Sequence, residues 1–168
     1  MNTTRRTFIK SGAALLAAAA VMPGELLASK KQKKGIIAIQ LYSIRADMSK
    51  DPLGSLKKVA EMGYEYVEHA NYVDRKFYGY SPKEFRKVLD DLGLNMISGH
   101  TVMGPEHWDE SKNDFSDSWK YTVDDAAVLG QKYVVSPSMD NSMRNKYDDF
   151  MRYMEIFNKC GISAKTRG

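Results

Sequence analysis

The residue pattern predicts an α/β fold: about four βα units forming the N-terminal half of a TIM-type (β/α)8 barrel. Three observations carry this expectation. Strand-like and helix-like segments alternate, with strand starts near positions 36, 64, 94 and 132, the spacing of βα units and hence of parallel strands with right-handed crossovers. Three helical segments end at a glycine, Gly63, Gly93 and Gly130, where the left-handed backbone that turns the chain toward the next strand meets no Cβ. One face of each of the first three strands turns polar toward its C-terminal end, as a lumen opening on an active-site rim does. A sheet covered by helices on both faces is apolar on both.

The elements follow in order. Ile36 to Tyr42 is a short β-branched run, with Ile37, Ile39 and Leu41 on the helix-facing side and Ala38, Gln40 and Tyr42 on the other. Residues 52–62 place Leu53, Leu56, Val59, Ala60 and Met62 mostly on one helical face, with Pro52 at the start. Tyr64 to Ala70 is the second strand, with Tyr66 and Glu68 on its lumen side. Ser81-Pro82-Lys83-Glu84 is a capping box with proline at the first helical position. Its helix buries Phe85, Val88, Leu89 and Leu92. Leu94 to His100 is the third strand, with Ser98 and His100 facing the lumen. Asp117 to Leu129 is a helix with Trp119, Val123, Ala126, Ala127 and Leu129 as apolar contacts. Tyr133 to Ser136 is the fourth strand, closed by Pro137, and residues 146 to about 159 form a helix with Phe150, Met151, Met154 and Phe157 inward. The turn after the first strand, Tyr42-Ser43-Ile44-Arg45, contains no glycine, which excludes the Gly-x-Gly-x-x-Gly dinucleotide site of a Rossmann fold.

The net charge of +4 over 168 residues is located before the fold. Lys30, Lys31, Lys33 and Lys34 alone supply four positive charges, and the residues ahead of them are net positive, so the chain from Gly35 onward is mildly acidic. Nucleic acid is therefore not an expected partner, since its binders spread positive charge over a face that follows phosphates. The single cysteine, Cys160, cannot form an internal disulfide, so the fold stands on packing.

Residues 1–29 read as an export signal. Thr4-Arg5-Arg6-Thr7-Phe8-Ile9-Lys10 precedes the apolar run Ala13 to Met22, too short to span a bilayer and arranged like a secretory leader. Arg5 and Arg6 followed by Phe, Ile and Lys match a twin-arginine signal. The expectation is a periplasmic protein handled by the twin-arginine translocase. Residues 30–35 form a basic linker, 36–161 the half barrel, and 162–168 (Ile-Ser-Ala-Lys-Thr-Arg-Gly) a polar tail without apolar period.

Five stretches in register, Ile39 to Arg45, Gly63 to Glu68, Ser98 to His100, Leu129 to Pro137 and Ile156 to Gly161, resemble the xylose isomerase-like superfamily of sugar phosphate isomerases/epimerases. The resemblance covers nearly all of the chain after the leader. It implies a sugar or sugar derivative as substrate and a divalent metal (Mn, Mg or Zn) in a full-length relative, where two carboxylates move a proton beside a sugar carbonyl. The family's metal ligands come from strands five to eight, so no metal ligand is assigned in this chain. It reads as a half-length product lacking the proton-transfer groups, inactive alone.

The candidate substrate contacts are accordingly on the first-half rim: Gln40 and Tyr42 as pocket-lining hydrogen-bonding groups, Glu68 at the end of strand two, and His100 at the end of strand three, where the resemblance places a substrate-contacting histidine. Glu68 is equally compatible with a solvated strand-end carboxylate, and His100 with a hydrogen-bonded structural histidine. His69, next to Glu68, points the other way. Trp108, in the long loop after strand three, suits either an apolar wall for a sugar ring or packing on the rim. His107 and Asp109 in that loop lack the third partner a metal needs. Two further readings stand beside the isomerase: a non-catalytic half barrel that self-associates through its open sheet edges, and a keto-glycoside lyase or hydrolase of the same superfamily.

Overall fold

The computed structural model describes residues 36–167. The expected export signal with Arg5 and Arg6 and the expected basic linker lie outside the described residues. Four parallel strands, β1 (Ala38–Gln40), β2 (Tyr66–His69), β5 (Asn95–His100) and β8 (Tyr133–Val135), form one sheet in the order β1-β2-β5-β8. Spatial order follows chain order. A doubly wound sheet reverses at a switch point; this one does not, which is the arrangement of a partial (β/α) barrel.

Between the strands run α1 (Arg45–Lys50), α2 (Pro52–Glu61), α3 (Pro82–Asp91), α4 (Asp117–Val128) and finally α5 (Tyr147–Arg167). The start signals act as expected. The Asp51 side chain accepts from the Gly54 N–H with Pro52 following it, and Ser81 and Glu84 close both bonds of a capping box. Gly63, Gly93 and Gly130 take φ of +88°, +67° and +75°, the conformation that ends these helices.

The helix-facing side of the sheet carries the main core: Leu41, Leu56, Val67, Phe85, Leu89 and Met96 are buried among their neighbours. A second cluster around Met103, Phe115, Trp119, Val123 and Ile156 docks α4 and α5. Two hairpins extend the C-terminal rim, β3–β4 (Tyr72–Val73 with Lys76–Phe77) and β6–β7 (Trp108–Asp109 with Asp114–Phe115).

Several local expectations are corrected. The first strand is three residues long, because the chain enters a 3-10 turn at Leu41–Ile44; Ile36 and Ile37 are exposed rather than against helices. Met62 caps α2 and is exposed, and Ala127 faces out while Thr122 and Asp125 face in. On α5 the inward stripe is Tyr153, Ile156, Phe157, Cys160 and Ala164, with Phe150 and Met151 exposed; docking on Trp119 and Phe115 selects that face. The tail continues this helix, since Gly161 keeps a helical backbone instead of the positive φ of the three stop glycines. Arg167 then pairs with Asp124 of α4 at 2.6 Å.

Candidate functional site

Three consecutive strands deliver polar side chains to one spot at their C-terminal ends. Gln40 ends β1, Glu68 sits near the end of β2, and Ser98 and His100 lie on β5. Period-two alternation puts all four on the lumen side. A register shift between Val67 and Glu68 in the β2–β5 ladder sets Glu68 opposite Ser98, a re-aiming that bulges commonly perform beside functional sites. His100 Nε2 lies 3.0 Å from Glu68 Oε1, and the Ser98 hydroxyl donates to Glu68 Oε2. Gln40 Nε2 lies 3.0 Å from His100 Nδ1, while Gln40 Oε1 accepts from the Tyr42 N–H at 2.9 Å. The side chains of His100 and Glu68 are 26 % and 23 % exposed, sheltered yet reachable. A cleft of about 580 Å³ opens beside His100, with Asn71, Arg75, Thr101, His107 and Tyr121 in its walls.

The other expected residues fall outside this cluster. Tyr42 leaves the strand with the 3-10 turn; it is 56 % exposed, with the Arg45 guanidinium 4.5 Å over its ring. Trp108 packs edge-on against Phe115 with the Lys159 ammonium 4.7 Å over its ring, joining the α4–α5 cluster rather than the cleft. His107 Nδ1 accepts the Gly104 N–H at 2.9 Å. Asp109 caps its own turn through Ser111 and Lys112, and those bonds hold its carboxyl down at about 2. Cys160 is half-buried, its Sγ accepting the Trp119 indole N–H at 3.0 Å; burial raises its thiol.

His69 turns to the helix side, as alternation requires. Its ring is buried edge-on against Phe77, and Nδ1 has no hydrogen-bond partner. Burial first, then the neighbouring His100, lowers it to about 4; Gln131 pulls the other way without reaching hydrogen-bond geometry on Nδ1.

A second network on the rim joins residues far apart in the chain. Asp125, buried on α4, takes both Arg75 nitrogens at 3.0 and 2.8 Å and the Tyr72 hydroxyl at 2.6 Å. Burial and the Asp125 hydrogen bond push the Tyr72 hydroxyl well above its ordinary range. The network pins the β3–β4 hairpin, whose turn residues Asp74 and Arg75 both have positive φ (48° and 61°), a type I′ pattern that non-glycine residues adopt at a cost. Its sequence signal is an acidic residue set among Thr122, Ala126 and Leu129, all of which are buried.

The family model of the xylose isomerase-like TIM barrel matches residues 56–168, well over half the chain. The chain belongs to the xylose isomerase-like TIM-barrel family. Two solved structures, both described as sugar phosphate isomerases/epimerases from Parabacteroides distasonis, resemble this family member closely in fold. One is 30 % identical with a TM-score of 0.68, covering 79 % of this chain and 51 % of its own. The other is 26 % identical with a TM-score of 0.64, covering 84 % and 51 %. The chain thus spans about half the length of the solved relatives it matches. No curated protein matches it.

Proposed function

We propose that the chain supplies the first-half substrate rim of a periplasmic sugar or sugar-phosphate isomerase/epimerase. The observation that carries this reading is the hydrogen-bonded row Gln40–His100–Glu68–Ser98 at the C-terminal ends of three adjacent parallel strands, the end where barrel enzymes hold their chemistry. A carboxylate acceptor and an imidazole donor side by side suit sugar hydroxyl and carbonyl oxygens. The proton-transfer groups of the reaction belong to the part of the barrel outside these four βα units.

A divalent metal serves as the Lewis acid in such reactions. The residues here do not fit it. Among the described residues no three His, Cys, Asp or Glu side chains come together, and Glu68 with His100 gives two donors, already engaged with each other, where a site needs at least three. The part played by this chain is binding and orientation.

Saturation-transfer NMR of the full chain with aldoses and ketoses tests the reading. Sugar signals are expected for the native chain and lost in the double variant Glu68→Gln, His100→Ala; equal transfer to both proteins overturns it. The export component predicts that Arg5→Lys with Arg6→Lys leaves the protein in the cytoplasm, and periplasmic recovery of that variant refutes it.

A second reading, a half barrel that acts by self-association, is favoured by the edge of β8. Beside it a groove of about 570 Å³ has a mostly apolar lining that includes Tyr133, Val134, Phe157, Cys160 and Ala164, with Gln131, Ser136 and Lys165 among its polar members. A monomer by light scattering at high concentration rejects this reading.

A further inference from the structure

We infer that Gln40 is a positioning residue that selects the tautomer of the uncharged His100 ring, placing its proton on Nε2. The inference deepens the reading of this row as a sugar-facing rim and rests on it for its functional meaning, although the tautomer follows from geometry alone.

The logic starts at a backbone group. The Tyr42 N–H can only donate, and it lies 2.9 Å from the side-chain atom of Gln40 that must therefore be oxygen. The other amide atom, 3.0 Å from His100 Nδ1, is then nitrogen, which also can only donate. Nδ1 must accept, so it carries no proton. The imidazole hydrogen sits on Nε2 and points at Glu68 Oε1, 3.0 Å away. Ser98 donates to the second carboxylate oxygen. Every polar atom from Tyr42 to Ser98 has one permitted role, and the direction of the row is fixed at its origin by the 3-10 turn.

The consequence is chemical. Nδ1 has no free lone pair for abstracting a proton or binding a metal while Gln40 is in place. A doubly protonated ring would set two donors against each other at Nδ1. The uncharged His100 ring therefore donates through Nε2–H, and Glu68 is its adjacent acceptor. Glu68 keeps lone pairs beyond those used by His100 and Ser98 and can accept from a sugar hydroxyl, while a neighbouring carbonyl or hydroxyl oxygen of the sugar competes with Glu68 for the His100 Nε2–H.

Long-range 15N–1H correlation spectra of the full chain with 15N-labelled histidine test this. The chain has three histidines, few enough for each ring's signals to be assigned by single substitution. At pH 8 without ligand, His100 is expected to show a pyridine-type Nδ1 and a pyrrole-type Nε2. Gln40→Glu puts an acceptor opposite Nδ1 and is expected to turn that nitrogen pyrrole-type. A protonated Nδ1 in the native chain overturns the inference, as does a folded Gln40→Glu protein with an unchanged His100 pattern. The native spectrum decides even if the variant fails to fold. If the tautomers behave as expected but no sugar binds, the rim reading fails and the tautomer assignment stands.

Discussion

His69 and His100 sit on opposite faces of the same sheet and have opposite fates. His100 ends a strand on the lumen side, partly exposed, with each ring nitrogen matched to a partner. His69 lies on the helix side, 1 % exposed, with a bare Nδ1 and a ring pressed on the Gly99 backbone. One residue type, placed with opposite parity, becomes a hydrogen-bonding group on one face and a core aromatic on the other. The contrast teaches that strand parity, more than residue chemistry, divides this chain into a part that holds the fold and a part that presents polar groups at the lumen rim.

That contrast can be broken most severely at Gly99. A Cβ there would lie 1.9 Å from the His69 ring, and the sheet leaves the ring no retreat. Gly99→Ala is expected to destabilise the chain by about 3 kcal/mol, measured by urea unfolding; a loss below about 1 kcal/mol would mean that the ring is not packed on this backbone.

Acid sensitivity comes next. The unfolded chain protonates His69 near the usual 6.5, the folded chain only near 4, so between these values the unfolded state binds more protons and stability falls as pH falls. The full effect is about 3 kcal/mol at most. Stability curves from pH 7 to pH 4 should show this slope, and His69→Leu should flatten it. An equally steep slope in the variant would assign the acid response to other groups.

On the lumen face the expectation reverses. Glu68→Gln keeps an oxygen to accept from His100 and an amide to meet Ser98, so stability should change by less than about 1 kcal/mol while sugar affinity drops about tenfold, roughly 1.4 kcal/mol. A stability loss as large as that of Gly99→Ala would erase the distinction between the faces. The smallest effect belongs to Gly161, which lies within α5 with open space around a new Cβ. Gly161→Ala should stabilise by about 0.5–1 kcal/mol, read from the same unfolding curves.

Period and punctuation made the scaffold legible. The capping box at Ser81, the stop glycines and the alternation of Ile39 with Gln40 and of Val67 with Glu68 are local signals, and they locate four strands and their helices. Gln40, Glu68 and His100 were accessible for the same reason, because parity and position along a strand fix where a side chain points. Tyr42 departs from the strand expectation because nothing in its own identity announces that Gln40 caps a 3-10 turn and ends the strand two residues early. Trp108 was ambiguous because a loop aromatic is placed by tertiary partners, here Phe115 and Lys159. The Asp125 network joins residues 50 or more positions apart, a distance over which periodicity carries no information. Gly161 shows the converse limit: a glycine stops a helix only when the backbone turns left-handed there, and docking of α5 beyond it decided otherwise.

The indole of Trp119 donating to the thiol of Cys160 also gives the molecule a built-in optical gauge. Sulfur at that range quenches indole emission, and Trp119 is one of only two tryptophans. Any event that lifts α5 from α4 should brighten and red-shift that fluorescence before the rest of the sheet opens. Seating of the final helix can therefore be followed in the unlabelled protein.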